Sequence, residues 1–239
     1  MKTKLLTILI LMSLTLAGCG VKQAEVPEGQ VDNAYVGGGV EQSAELTPET
    51  DEAAIAENRL VAGAMLDCFM ALDYDGALVY MRENDREMFN VESAQDSIVY
   101  SMLLSRMSYE LGESFTDQFG NRYVRAEISA PSMIDVYGEV LLMMNDVIMS
   151  GEFESGEELQ AFNDQSFVKV IENGEIGTST ITVDIGLEND TDGELRVIFT
   201  PEILNAMLGD IQNASQQINE ALSEGIEEYT SARDAGAFD

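Results

Sequence analysis

The chemistry open to this chain is limited first by the side chains that it lacks. It has no histidine and no tryptophan, and it has two cysteines, Cys19 and Cys68. Without histidine, Ser-His-Asp and Cys-His catalysis and the usual zinc sites are excluded. No phosphate-binding glycine loop and no nucleophile elbow occurs in the sequence. We therefore expect no catalytic residue of these kinds, no metal site and no cofactor.

A carboxylate and a phenol could still form an acid–base site, for which Asp73 and Tyr109 are the candidates. Such a site needs a carboxylate base and a proton donor in one enclosed space. Neither residue lies in a distinguishing motif. Asp73 and Asp75 also suit the capping of a short helix, and Tyr109 suits a strand residue with its hydroxyl at the rim. We prefer these structural interpretations.

An acidic stretch near residue 190 resembles the start of a calcium-binding loop. Glu188, Asp190, Asp192 and Gly193 match positions one, three, five and six of such a loop. The position that should hold a bidentate glutamate is Phe199, and no helices flank the stretch. We therefore interpret it as the acidic turn of a hairpin, with cation binding at the surface as the alternative.

Sulfur-containing side chains give two further candidates. Cys68 lies in the apolar stretch between Met65 and Leu72 with no basic neighbour, which favours a buried, unreactive thiol. Several methionines at helical spacing could line an adaptable apolar groove, although core packing is the preferred interpretation: Met133, Met143, Met144 and Met149.

The N-terminus has the pattern of an export signal. Basic residues in Met1–Lys4 precede a run of twelve residues, Leu5–Leu16, that is mostly apolar. The run is shorter than the roughly 20 residues that span a bilayer. It ends in Leu16-Ala17-Gly18-Cys19, which resembles the lipobox of bacterial lipoproteins. The alternative is an ordinary signal peptide followed by a chance cysteine.

The lipobox resemblance implies cleavage before Cys19 and a diacylglycerol thioether, with acyl chains such as palmitate, on its sulfur. Two acyl chains anchor a protein stably, since each buried methylene contributes about 0.8 kcal/mol. We therefore expect a lipoprotein held on the extracytoplasmic face of the cell membrane, within the cell envelope. Because lipid occupies Cys19, Cys68 has no disulfide partner.

The chain is strongly acidic, with a formal net charge of −32. The leader holds two of the 12 basic residues and none of the 44 acidic ones, so its removal leaves −34. This charge disfavours nucleic acid and adhesion to anionic lipid headgroups. The expected partners are the membrane, through the lipid on Cys19, and a protein or small-molecule ligand.

Composition divides the chain into four parts. Residues 1–18 are the signal peptide, and residues 19–47 form an acidic linker rich in glycine. Residues 48–210 carry the folded domain, and residues 211–239 form a polar helical tail. The hydrophobic fraction of 45% is adequate for a core.

Periodicity within the domain predicts an α+β fold. Thr47-Pro48-Glu49 is interpreted as a helix start, followed by a helix with Val61, Met65, Cys68 and Leu72 on one stripe. The remaining predictions are a short helix at Asp75-Gly76, a helix from Ser93–Asp96, a hairpin turning at 117–121, helices over 132–150 and 155–173, a hairpin over 181–199 turning at Asp192-Gly193, and a helix from Pro201.

Two segments carry a resemblance to a known fold. Ala71–Leu78 resembles the junction of the first two helices in cone-shaped domains of the nuclear transport factor 2-like superfamily. The stretch Asn121–Ser132 is similar to that of small Firmicute lipoproteins with such a domain. The resemblance covers about residues 50–210, and the helical insertion at 132–173 departs from it.

The resemblance implies a curved antiparallel sheet wrapped around the first helix, with a pocket between them as one outcome. The superfamily includes enzymes, such as ketosteroid isomerase and scytalone dehydratase, and many non-catalytic binding domains, so the fold does not decide the function. Our leading hypothesis is a non-catalytic, lipid-anchored binding or interaction domain. The alternatives are an enzyme using carboxylate and tyrosine, and an acidic cation-binding surface protein.

Overall fold

A computed structural model describes residues 46–89, 91, 97–150 and 155–220. The leader, the lipobox, most of the linker, Ser93, Asp96 and residues 221–239 lie outside this part of the chain. The described elements include helices, a 3₁₀ helix and a five-stranded antiparallel sheet that is open and curled. The prediction of an α+β fold is confirmed.

The elements follow in the order that periodicity predicts, apart from the first strand and the 3₁₀ helix, neither of which was predicted. Strand β1 (Thr47–Pro48) precedes α1 (Glu52–Met70), α2 (Tyr74–Val79), the 3₁₀ helix Glu83–Met88, α3 (Ile98–Leu104), β2 (Ser108–Thr116), β3 (Arg122–Pro131), α4 (Met133–Ser150), α5 (Gly156–Asn173), β4 (Thr178–Asn189), β5 (Leu195–Ile198) and α6 (Pro201–Met207). A helical segment over 211–220 follows α6.

The predicted helix start at Thr47-Pro48-Glu49 is wrong. Thr47 and Pro48 form β1, which pairs with Thr116 and Phe115 at the end of β2. Proline is tolerated there because β1 is an edge strand. Helix α1 begins later and is capped by Asp51, whose Oδ1 accepts a hydrogen bond from the backbone N–H of Ala53 at 2.9 Å.

The apolar stripe predicted for α1 does not coincide with the buried face of the helix, and it extends beyond the end of the helix. Met65 is buried as expected, but Leu72 lies beyond the end of the helix, is 38% exposed and has a φ of 59°. Its N–H donates to the Phe69 carbonyl, and the Asp73 N–H donates to the Cys68 carbonyl. These two bonds are the Schellman pattern of a helix C-terminus, with leucine where glycine is usual.

Strand pairing follows the chain order β1-β2-β3-β4-β5. Both predicted hairpins are confirmed, and both turns contain glycine at positive φ, Gly120 at 85° and Gly193 at 84°. Between Leu111 and Ser114 the register of β2 shifts relative to β3. This β-bulge reverses which side chains of β2 face inward, because strand alternation restarts beyond the extra residue.

One apolar core lies between the helices and the concave face of the sheet. Helix α1 contacts β2, β3, β4 and β5. The largest fully buried side chains are Met65, Leu66, Phe69, Met81, Leu103, Leu104, Ile128, Met133, Ile171, Ile185, Phe199 and Ile203. From the helical segment over 211–220, Ala214 and Ile218 are also buried in this core.

Helices α4 and α5 have the predicted starts and ends. Helix α4 follows Ser132, and α5 is capped by Ser155, whose Oγ accepts from the Glu158 N–H at 3.2 Å. Helix α3 is capped by Ser97. The helix start predicted at Ser93–Asp96 lies outside the described residues.

Candidate functional site

Asp73 caps a helix, as the structural interpretation predicted. It is the N-cap of α2, and its Oδ1 accepts a hydrogen bond from the Gly76 N–H at 3.0 Å. Asp75 lies exposed in the first turn of the same helix, where a carboxylate favours the positive end of the helix dipole. Both carboxylates therefore have a role in stabilising α2.

Tyr109 lies on β2, where its side chain faces α1. Its hydroxyl donates to Asp67 Oδ1 at 2.7 Å and lies 3.2 Å from the Gly63 carbonyl oxygen. A Cβ at Gly63 would lie 3.2 Å from the same hydroxyl, so the glycine leaves room for this approach. Burial contributes most to raising the pKa of Tyr109, and the hydrogen bond to Asp67 and the negative charge of Asp67 raise it further. Tyr109 is thus a neutral hydroxyl that joins β2 to α1.

The carboxylate beside Tyr109 is therefore Asp67, a residue that the sequence pattern did not single out. Asp67 follows Gly63 by four residues, which places both on one face of α1. This spacing is the only signal that could have indicated the contact.

The Cys68 thiol is half-buried rather than fully buried. Burial contributes most to raising the pKa of this thiol, and the negative charges of Asp73 and Asp67 raise it further. A raised pKa keeps the thiol protonated and a poor nucleophile. The unreactive character that the sequence predicted agrees with this environment.

The acidic turn between β4 and β5 holds carboxylates that already have partners. Glu188 accepts from Arg82 Nη1 at 2.7 Å, and Asp192 accepts from Arg196 Nη2 at 2.9 Å. Asp190 accepts from the backbone N–H of Thr191 at 2.8 Å, and this bond contributes most to lowering its pKa. The hairpin interpretation is confirmed.

Among the described residues, no three His, Cys, Asp or Glu side chains are grouped so as to hold a metal ion. Phe199, at the position where a calcium loop needs glutamate, is buried in the core.

The methionines of α4 that the structure describes belong to the core or pack against it. Met133 and Met144 are buried, and Met143 is partly buried against the same cluster. Met149 lies where the structure does not describe side chains. Core packing is therefore confirmed for Met133 and Met144.

A polar cluster that sequence reasoning missed lies where the first half of α1 meets the hairpin of β2 and β3. Asn58 of α1 is 0% exposed, and Ser114 of β2 is 5% exposed. Among the described residues, neither the Asn58 Nδ2 nor the Ser114 Oγ has a hydrogen-bond partner. Leaving a buried polar group unsatisfied costs about 1–3 kcal/mol. Such a pair in a small domain requires an explanation.

Arg122 of β3 forms the solvent side of this cluster. Its Nη1 donates to Glu57 Oε2 at 2.8 Å and lies 3.4 Å from Asn58 Oδ1. Glu49 also lies near Arg122, and its Oε2 accepts from the Thr116 hydroxyl at 3.0 Å. The backbone N–H of Asp51 contributes most to lowering the pKa of Glu49, and the charge of Arg122 also lowers it.

Part of this cluster could have been found in the sequence. Asn58 precedes Ala62, Met65 and Phe69 by four, seven and eleven residues, which places it on the buried stripe of α1. A polar residue on an apolar stripe is a recognisable signal. Ser114 could not have been found, because the bulge in β2 reverses its side of the sheet.

None of the described helices is both long enough and apolar enough to span a bilayer. Comparison of the chain with protein-family models, with curated proteins and with solved structures gives no match.

Proposed function

We propose that this protein is a lipid-anchored binding or interaction domain, displayed on the extracytoplasmic face of the cell membrane. The observation that carries the proposal is the sequence Leu16-Ala17-Gly18-Cys19 at the end of a short basic and apolar leader. A diacylglycerol group on Cys19 anchors the chain without a spanning helix. The linker after Cys19 separates the folded domain from the bilayer.

The nuclear transport factor 2-like assignment belongs to the same proposal. It is supported by a curled antiparallel sheet whose face is contacted by α1. Helices α4 and α5, inserted between β3 and β4, depart from the simplest form of that fold.

Binding is favoured over catalysis because of what fills the interior. Apolar side chains such as Met65, Phe69 and Phe199 occupy the space between α1 and the sheet. An acid–base enzyme needs a polar pair in an enclosed cavity. Asp73 is used as a cap, and the Tyr109 hydroxyl donates to Asp67, which is exposed. The Tyr109–Asp67 pair is the observation that would favour an enzyme.

Cation binding is also less well supported than protein or small-molecule binding. The turn carboxylates Glu188 and Asp192 are paired with Arg82 and Arg196. A calcium ion would have to displace both arginines.

The test is fractionation of cells that express Cys19→Ala, with Cys68→Ala as the matched control for loss of a thiol. We expect the wild type and Cys68→Ala in the membrane fraction, where protease added to intact cells degrades them. Cys19→Ala should leave that fraction, because its only proposed anchor is gone. Retention of Cys19→Ala in the membrane would contradict the proposal.

A further inference from the structure

Two buried polar groups with unsatisfied hydrogen-bonding potential indicate a place where this domain could bind a ligand. The Asn58 amide nitrogen and the Ser114 hydroxyl are buried, and no described residue provides a partner for either. The great majority of buried polar side-chain atoms in proteins have at least one partner. These two belong to different elements, α1 and β2, that contact each other.

The sheet register places Ser114 on the same face of the sheet as Arg122, one inward-facing pair further along the hairpin. Thr116 pairs directly with Arg122, and Ser114 pairs with Val124, which is fully buried in the core. Side chains two residues apart on a strand share a face, so Ser114 and Thr116 both face inward with Arg122. On the helix side, Asn58 Oδ1 lies 3.4 Å from Arg122 Nη1.

The chemistry of the unused atoms defines the ligand. The Asn58 NH₂ group offers two hydrogens and the Ser114 hydroxyl offers one. Of the three guanidinium nitrogens of Arg122, only Nη1 donates a hydrogen bond to a described residue. The N–H groups of the other two are available to a ligand. The Asn58 NH₂ group and the guanidinium are donors only, and the Ser114 hydroxyl can also donate, so together they suit an oxygen that accepts several hydrogen bonds.

Charge then decides between a carboxylate and a neutral carbonyl oxygen. Arg122 is already paired with Glu57 at 2.8 Å, and Glu49 lies close enough for the two charges to interact. A single guanidinium between two carboxylates leaves no excess positive charge for an anion. The formal net charge of −32 also repels anionic ligands.

We propose that Asn58, Ser114 and Arg122 form a subsite that binds the carbonyl oxygen of an uncharged amide, such as a peptide group. Arg122, whose side chain is 33% exposed, borders Asn58 on the solvent side and contributes guanidinium N–H groups to the subsite. The inference rests on the proposal that this is a binding domain. It does not depend on the lipid at Cys19.

The test is an NMR titration of the full-length ¹⁵N-labelled protein with N-methylacetamide, following the side-chain NH₂ resonances of Asn58. We expect saturable shifts of these resonances. Ser114→Ala should weaken binding about threefold to tenfold, since one hydrogen bond is lost. Ser129→Ala is the matched control, because it removes a hydroxyl 2.8 Å from that of Thr180, on the exposed side of the sheet. It should bind like the wild type.

Three results would overturn the proposal. One is the absence of saturable shifts, which would mean that the two groups are buried without a ligand. Another is an equal effect of Ser114→Ala and Ser129→Ala. The third is tighter binding of acetate than of N-methylacetamide, which would make this an anion site.

Dispersed backbone resonances will verify that each variant is folded. If Ser114→Ala does not fold, Arg122→Gln provides the same comparison and should weaken binding. Failure of this titration leaves membrane retention through Cys19 unaffected, and failure of the Cys19 test leaves this titration unaffected, so the two outcomes are distinguishable.

Discussion

Asp85 is a buried carboxylate that joins two distant parts of the chain. It is 3% exposed, and it accepts two hydrogen bonds from Arg82, at 2.8 and 2.9 Å. It also accepts from the backbone N–H of Phe199 at 3.2 Å. Arg82 also donates to Glu188. Together, Arg82 and Asp85 therefore fix the 3₁₀ helix Glu83–Met88 to the hairpin of β4 and β5.

We predict that Asp85→Ala lowers the free energy of unfolding by about 2–3 kcal/mol, because the Phe199 N–H loses its buried acceptor and Arg82 loses its buried carboxylate partner while keeping the exposed Glu188. The matched control is Asp184→Ala. Asp184 also takes two bonds from an arginine, Arg125, but that pair is exposed. The control should lose about 1 kcal/mol or less. Urea denaturation measures both, and equal losses would contradict the role of burial.

Tyr109 gives the fold a dependence on alkaline pH. Burial, followed by the hydrogen bond to Asp67 and its charge, raises the pKa of the folded-state hydroxyl above its unfolded value of about 10. The stabilisation is therefore fully present below pH 10 and is lost as the pH rises toward the folded-state pKa.

We predict that Tyr109→Phe is less stable than the wild type at neutral pH, and that the difference narrows above about pH 10. Urea denaturation between neutral pH and the highest pH at which both proteins fold will measure it. A difference that stays constant with pH would show that the hydroxyl does not carry the effect.

At the scale of elements, the end of α1 stores backbone strain. Leu72 adopts a φ of 59° at the position where a helix usually ends in glycine. The left-handed conformation costs roughly 1–2 kcal/mol for a residue with a Cβ. The hydrogen bonds of the Leu72 and Asp73 N–H groups to the end of α1 compensate for this cost.

We predict that Leu72→Gly raises the free energy of unfolding by about 1 kcal/mol, since it removes the strain while losing only a partly exposed side chain. Leu72→Ala is the control, because it shortens the side chain but keeps the Cβ. Thermal and urea unfolding of the two variants will be compared. The explanation fails if glycine is no more stable than alanine.

The elements differ in how well the sequence predicts them. The inward alternation of Val124, Ala126 and Ile128 indicates β3 correctly, because one buried face imposes a period of two. The bulge in β2 has no such signature, and it determines which way Ser114 points. Thr47 and Pro48 were misassigned because their local sequence suits a helix start while pairing with β2 makes them a strand.

The candidate site was harder to predict than the fold. The caps and turns formed by Asp73 and Asp192-Gly193 follow from local sequence. The contacts of Tyr109 with Asp67 and of Arg122 with Asn58 join residues 42 and 64 positions apart. Such contacts depend on how α1 lies across the sheet, which periodicity alone does not specify.

At the scale of the whole molecule, the arginines that the structure describes form ion pairs and hydrogen bonds within the fold. In the part of the chain that the structure describes, four arginines form ion pairs with carboxylates: Arg82, Arg122, Arg125 and Arg196. Three other described arginines, Arg59, Arg86 and Arg106, donate to backbone carbonyls. The described surface is left strongly acidic, which suits the proposed display of the domain away from anionic lipid.

The central claim is that Cys19 becomes the lipid-bearing first residue of the mature protein. The most direct measurement is mass spectrometry of the N-terminal tryptic peptide of protein isolated from membranes. Because Lys22 follows Cys19 closely, this peptide is short and its modification is readily identified. The account predicts a peptide that begins at Cys19 and carries a diacylglycerol group. A peptide with the leader intact, or with an unmodified Cys19, would contradict it.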